Sequence, residues 1–133
     1  RQTGAMQIYI VEDSAAVRSR LVAMLAEVPG AEVAGAAAGA TQATREILAS
    51  RPEMVILDLS LAEGGGFDVL RELRAKAPEI DVYMLSNFSA DPYRQLAERL
   101  GARGFFDKTK EFGRVREAAA AKAQESQCKP SSS

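Results

Sequence analysis

Histidine and tryptophan are absent from this chain of 133 residues, and cysteine occurs once, at Cys128. Without histidine there is no imidazole to activate a nucleophile, to ligate a metal or to carry a phosphoryl group. A single thiol in a polar segment can neither staple the fold nor complete a cysteine metal site, and it is read as a bystander. A surplus of charge of one sign is also lacking. Lys and Arg number 17 against 18 Asp and Glu, a formal net charge of -1, so no general attraction to nucleic acid or anionic membrane follows. No apolar run approaches the roughly 18 to 20 residues that a membrane helix needs. The N-terminal stretch does not combine a basic start, an apolar segment and a cleavage site, so the expected localisation is cytoplasmic. The chemistry of this chain must rest on carboxylates.

What is present is a core-forming composition, 47% apolar, at a length that fits one domain. Residues 1–5 are read as a disordered start or a vector-derived remnant, 6–124 as the domain, and 125–133, rich in serine with a proline, as a disordered tail. Between them apolar runs alternate with helical periodicity. The run Ile8 to Val11 is followed by Val17, Leu21, Met24, Leu25 and Val28 at helical spacing, which Pro29-Gly30 stops. Ala31 to Ala38 reads as a weak, Ala-rich strand suited to an edge, and Thr41 to Ser50 as a helix closed before Pro52. Met54 to Leu57 is the next strand. A loop from Ser60 to Gly66 leads into a helix through Phe67, Leu70 and Leu73 that ends before Pro78. Val82 to Ser86 and Arg103 to Asp107 are the last two strands. Between them Asp91 is expected to cap a helix from Pro92 to Leu100 that Gly101 ends, and the last helix is expected to begin near Lys110. Five strands alternating with five helices predict an α/β fold with a parallel sheet between helix layers.

Polar residues end four of these runs: Glu12-Asp13, Asp58, Ser86 and Lys108. In an open parallel sheet the C-terminal strand ends share one edge, where such folds bind ligands. Taken singly, each residue has a plainer reading. Asp13 suits a helix N-terminus, Asp58 and Ser86 suit loop capping, and a lone lysine is usually solvated. Five of them in register point to a site. Glu12, Asp13 and Asp58 are hard oxygen donors suited to Mg²⁺.

In that order and spacing the residues resemble the receiver domain of two-component response regulators. The resemblance covers about Met6 to Gln124. It is carried by Ile10-Val11-Glu12-Asp13-Ser14, by Val55 to Leu61 with Gly66 eight residues after Asp58, and by Gly101 to Lys108. It implies a flavodoxin-like, doubly wound, five-stranded parallel sheet of order 2-1-3-4-5 with five helices. It implies that Asp58 accepts a phosphoryl group from a sensor histidine kinase or a histidine phosphotransfer protein. Asp13 and Asp58 would ligate Mg²⁺ directly, the Ser60 backbone carbonyl would add a third oxygen, and Glu12 would act through water. Lys108 would pair with Asp58 and then with the phosphoryl group. Ser86 would donate its hydroxyl to the phosphate while Phe105 turns inward, which is the switch. On this reading the chain is a phosphoacceptor that assists its own phosphorylation and dephosphorylation, not an enzyme on other substrates.

Three positions depart from the family pattern. Thr109 stands where proline, often cis, follows the lysine; Ala62 replaces a usual proline after the acceptor; Asn87 replaces a small residue after Ser86. These bear on loop structure and rates. Gly64 to Gly66 forms neither phosphate-loop motif. Basic Arg94, Arg99, Arg103, Arg114 and Arg116 alternate with acids, which fits a partner or homodimer face on the fourth helix, fifth strand and last helix better than a nucleic-acid patch. The favoured output is a stand-alone receiver that switches binding of a partner the sequence does not name. The alternative is the receiver half of a DNA-binding transcription regulator, with nucleic acid contacted only through an output domain outside this sequence. A Mg²⁺ phosphohydrolase is disfavoured because Ser60 stands where a second acid is wanted.

Overall fold

The structure, a computed structural model, describes residues 4–128. Ten elements alternate: β1 (Met6–Val11), α1 (Ala15–Ala26), β2 (Ala31–Ala37), α2 (Ala40–Ser50), β3 (Met54–Leu57), α3 (Gly66–Lys76), β4 (Asp81–Ser86), α4 (Asp91–Arg99), β5 (Gly104–Asp107) and α5 (Arg114–Cys128). All strand pairs are parallel and lie in the order β2-β1-β3-β4-β5, as the sequence predicts.

Side-chain alternation assigns the two faces of the sheet. Tyr9 and Val11, Val55 and Leu57, and Val82 and Met84 face a layer with Ala43, Ile47, Val69, Leu70, Leu73 and Ala97 from α2, α3 and α4. Ile8 and Ile10, Met54 and Ile56, and Leu85 face the other layer with Leu21, Leu25, Val115, Ala119 and Ala123 from α1 and α5. Covering both faces explains why β3 reads as an unbroken apolar run. The alanines of α5 let that helix lie close to the sheet. At the edge, β2 shifts register against β1 between Ile8 and Tyr9. There Gly35 leaves room for the Tyr9 ring, which a β-carbon would approach to 3.0 Å.

Several boundaries differ from the sequence reading. The N-cap of α4 is Ala90, not Asp91, which with Pro92 occupies the first turn; the acid there meets the positive end of the helix rather than closing it. The last helix starts at Arg114, four residues after Lys110. The amides of Thr109 and Lys110 are taken by the Asp107 carboxylate instead of a helix. At the other end α5 continues through Cys128, so 125–128 is helical rather than part of a disordered tail. The remaining expected disordered residues, 1–3 and 129–133, lie outside the described residues. Gly101, at φ 96°, ends α4 as expected, because glycine enters the left-handed region without a β-carbon clash. Among the described residues every peptide bond is trans, including Lys108-Thr109, where the family resemblance raised the question of a cis bond.

The N-terminus of α2 is closed from a distance. Its N-cap, Gly39, has no side chain to offer. Instead Glu63, in the loop after β3, accepts from the Thr41 amide at 3.0 Å and the Thr41 hydroxyl at 2.9 Å. The Glu63 carbonyl accepts from the Ala40 amide at 2.8 Å. The loop that follows Asp58 is therefore fastened to α2.

Candidate functional site

The strand ends of β1, β3, β4 and β5 meet at one edge, as parallel register requires. Val11 lies beside Leu57, Leu57 beside Met84, and Ser86 beside Asp107. The residues just beyond them form the site. Asp58 is 4% exposed and Glu12 1%, while Asp13 is exposed. Carboxylate oxygens of these three acids lie within 4.8 Å of one another.

Lys108 reaches into this group. Its Nζ lies 2.8 Å from Asp58 Oδ2 and 2.9 Å from Glu12 Oε1. Burial opposes the ammonium charge, but the bonds to Asp58 and Glu12 outweigh it and hold Lys108 above the ordinary lysine range. Burial pushes the Glu12 carboxyl up; the Ser14 amide and Lys108 offset this in part, and the Asp58 charge adds to it. Glu12 Oε2 accepts from the Ser14 amide at 2.9 Å. Glu12 Oε1 is buried and has the Lys108 ammonium, as an ion pair at 2.9 Å, for its contact. Three carboxylates that can each bring an oxygen within 4.8 Å of the others are a donor set that fits a hard divalent cation such as Mg²⁺. Arg18 braces the same loop from α1, donating to the Glu12 carbonyl at 2.8 Å and the Asp13 carbonyl at 3.3 Å.

Ser60 is exposed, and its amide lies 3.4 Å from Asp58 Oδ1. Its loop closes back through a bridge between Ser60 and Gly65. Ser86 is fully buried; its hydroxyl accepts from the Phe88 amide at 3.0 Å, and its carbonyl accepts from the Lys108 amide at 2.9 Å. The latter bond ties the Ser86 loop to the residue that carries the ammonium. Phe105, in β5, is half-buried. It packs against the α2-α3-α4 layer with the Arg94 guanidinium 5.0 Å over its ring. Beside it lies a cavity of about 310 Å³ lined by Arg94, Ala97, Glu98, Ala102, Arg103 and Gly104. Phe106 faces the other side and stacks on Tyr83.

A family model described as the response regulator receiver domain matches residues 8–120. The chain belongs to the response regulator receiver family. Such receivers serve two-component signalling, and they bind Mg²⁺ at their acidic site and interact with histidine kinases or phosphotransfer proteins. This receiver is 29% identical over 103 residues to the DNA-binding transcriptional activator DevR/DosR of Mycobacterium tuberculosis, covering 77% of this chain and 48% of that protein. It is 38% identical over 110 residues to a protein-glutamate methylesterase/protein-glutamine glutaminase of Anaeromyxobacter dehalogenans, covering 81% of this chain and 31% of that protein. The receiver thus spans less than half the length of either relative. Among solved structures, the response regulator domain of Thermotoga maritima CheB superimposes with a TM-score of 0.80 at 22% identity, covering 95% of this chain and 99% of that one. A LuxR-family two-component response regulator from Aurantimonas gives 0.83 at 24% identity over 90% of this chain and 86% of that one. Both likenesses are in fold. No helix among the described residues is long and apolar enough to cross a membrane.

The sequence reading missed Asp107, Ser89, Glu111 and Arg18 as partners of the site. For Asp107 a local signal existed: an aspartate two and three residues before backbone amides in a polar turn is a common capping arrangement. Glu111 lies four residues on, in the same turn, whereas Ser89 meets it only through the fold.

Proposed function

We propose that Asp58 is the phosphoacceptor of this receiver. A carboxylate oxygen of Asp58 attacks phosphorus, the bond from phosphorus to the donor's histidine nitrogen breaks, and an aspartyl phosphate results. The observation that carries this reading is the ammonium of Lys108 held 2.8 Å from a buried Asp58 carboxylate, at the edge where the three acids gather. Attack by one anion on another needs its charge offset, and a fixed cation in a poorly solvated place does this well. Asp13, Asp58 and the Ser60 carbonyl would hold Mg²⁺, with Glu12 acting through water, and the ion would supply the remaining positive charge.

After transfer, Lys108 pairs with a phosphoryl oxygen. Ser86 gives up the Phe88 amide and donates its hydroxyl to the phosphate, and Phe105 turns inward. The switched surface is the α4-β5-α5 face, where Arg94, Arg114 and Glu111 already interleave charges of both signs. That mixture suits a protein partner or a second copy of the chain.

A second reading concerns output. The chain matches the input portion of longer relatives, one of which is named for DNA binding. This favours a receiver that works as part of a longer regulator over the stand-alone receiver inferred from sequence. Cytoplasmic location is consistent with either.

Intact mass after incubation with acetyl phosphate and Mg²⁺ tests the proposal. One added phosphoryl group, absent in Asp58→Asn and with a chelator, is the expected result. An adduct that survives in Asp58→Asn would overturn the assignment.

A further inference from the structure

The carboxylate of Asp107, just before Lys108, holds two loops at once. Asp107 Oδ1 accepts from the Thr109 amide at 2.9 Å and the Lys110 amide at 2.8 Å, closing the turn behind Lys108. Asp107 Oδ2 accepts from the Ser89 hydroxyl, on the loop that follows Ser86. A ring of contacts secures this arrangement. The Asp107 amide donates to Glu111 Oε1 at 2.8 Å. Glu111 pairs with Arg94 at 3.1 Å, and Arg94 Nε donates to the Ser89 carbonyl at 2.9 Å. Asp107 itself is only 8% exposed.

We infer that Asp107 is a positioning residue for phosphoryl transfer, fixing the Lys108 turn and the Ser86 loop in register so that ammonium and hydroxyl converge on one phosphoryl group. The inference rests on the assignment of Asp58 as acceptor and adds a residue to it. The physical need is visible in the turn. With Thr109 after Lys108 and a trans bond between them, no proline ring stiffens the loop, and hydrogen bonds to one carboxylate do so instead. Aim matters because Lys108 has a long, flexible stem, and a reacting geometry misplaced by about 1 Å loses up to a hundredfold in rate.

The experiment compares wild type with Asp107→Ala, Asp107→Asn and Ser89→Ala. Amide hydrogen exchange at Thr109 and Lys110 reads the turn. Maximal rate and half-saturation with acetyl phosphate read the chemistry, and Mg²⁺ titration followed by NMR reads the acid cluster. In Asp107→Ala both amides lose protection and the maximal rate falls by about tenfold or more, with Mg²⁺ affinity and half-saturation unchanged. Asparagine keeps an oxygen for both amides and restores most of the rate. Ser89→Ala, which cuts only the bond from Asp107 to the Ser86 loop, keeps both amides protected and loses part of the rate. A wild-type rate in Asp107→Ala would overturn the inference. So would equal losses in the alanine and asparagine variants, or a loss that tracks Mg²⁺ affinity. Unchanged amide protection in Asp107→Ala overturns it even if wild type takes up no phosphoryl group, an outcome that by itself removes the Asp58 assignment.

Discussion

Gly66 approaches Asp58 so closely that a β-carbon on Gly66 would lie 2.2 Å from the Asp58 carbonyl oxygen and 2.8 Å from the Leu59 α-carbon. Both obstacles are backbone, so no rotamer change can relieve them. The first turn of α3 is therefore packed onto the strand exit that aims the acceptor, and its amide donates to the Leu59 carbonyl at 2.8 Å. Gly66→Ala should cost about 1 to 3 kcal/mol, the usual range for overpacking. It should also slow phosphoryl uptake, because the displaced backbone carries Asp58. Urea unfolding beside a time course of intact mass measures both. A variant with wild-type stability and rate would show that α3 is free to slide.

Glu12→Gln should stabilise the metal-free protein at neutral pH while weakening its hold on Mg²⁺. Burial holds the Glu12 carboxyl above its ordinary value of 4.5, so between 4.5 and the raised value the folded protein binds more protons at this group than the unfolded chain. The contribution of Glu12 thus favours the fold on the acid side and is lost as pH rises through that window. Glutamine removes this slope and the burden of the buried charge. Calorimetric titration should show Mg²⁺ affinity reduced by about tenfold or more, as for other groups that support a metal. Urea midpoints measured from pH 4 upward check the sign: wild type minus variant should become more negative as pH rises.

Much of this was legible before the structure because central parallel strands are buried on both faces and advertise themselves as apolar runs. Met54 to Leu57 reads as a buried strand with Asp58 at its exit, and once the strands are in order their exits must share an edge. What escaped was anything settled by distant partners. Asp91 has the right chemistry for a cap, yet the chain turns one residue earlier. Lys110 has a helical context, yet Asp107 captures its amide. The cap of α2 comes from Glu63, 22 residues beyond Thr41, and no local pattern announces it. Nor does any local pattern announce the bond of Asp107 to Ser89, which lies on another loop 18 residues back.

Arg94→Met tests how firmly α4 is tied to β5. Arg94 donates to the carbonyls of Ser89 and Phe105 at 2.9 and 3.0 Å and pairs with Glu111. Methionine keeps much of the stem but leaves those carbonyls without their donor. The guanidinium is partly solvated, so the expected loss is modest, about 1 to 2 kcal/mol, seen as a lower urea midpoint at an unchanged slope. The Phe105 ring also loses its cation, and its side-chain NMR signals should broaden or split as it samples the adjoining cavity. A sharp, unshifted Phe105 would mean that the core layer alone fixes the ring.

Lys108→Met should move two properties of the site in opposite directions. The ammonium now offsets Glu12 and Asp58, and its removal leaves two buried carboxylates facing each other beside Asp13. Mg²⁺ then meets a more negative cluster without a competing cation, so its affinity should rise. The rate of phosphoryl transfer should nevertheless fall by roughly a hundredfold, the scale for losing one fixed charge-stabilising donor, since the ion would be held by the acids and Lys108 supplies a second, separate positive charge. Mg²⁺ titration at pH 7 and uptake from acetyl phosphate at saturating Mg²⁺ separate the two effects. A simple loss of fold would depress both, and tighter Mg²⁺ binding with an undiminished rate would remove Lys108 from the chemistry and leave it only the task of balancing buried charge.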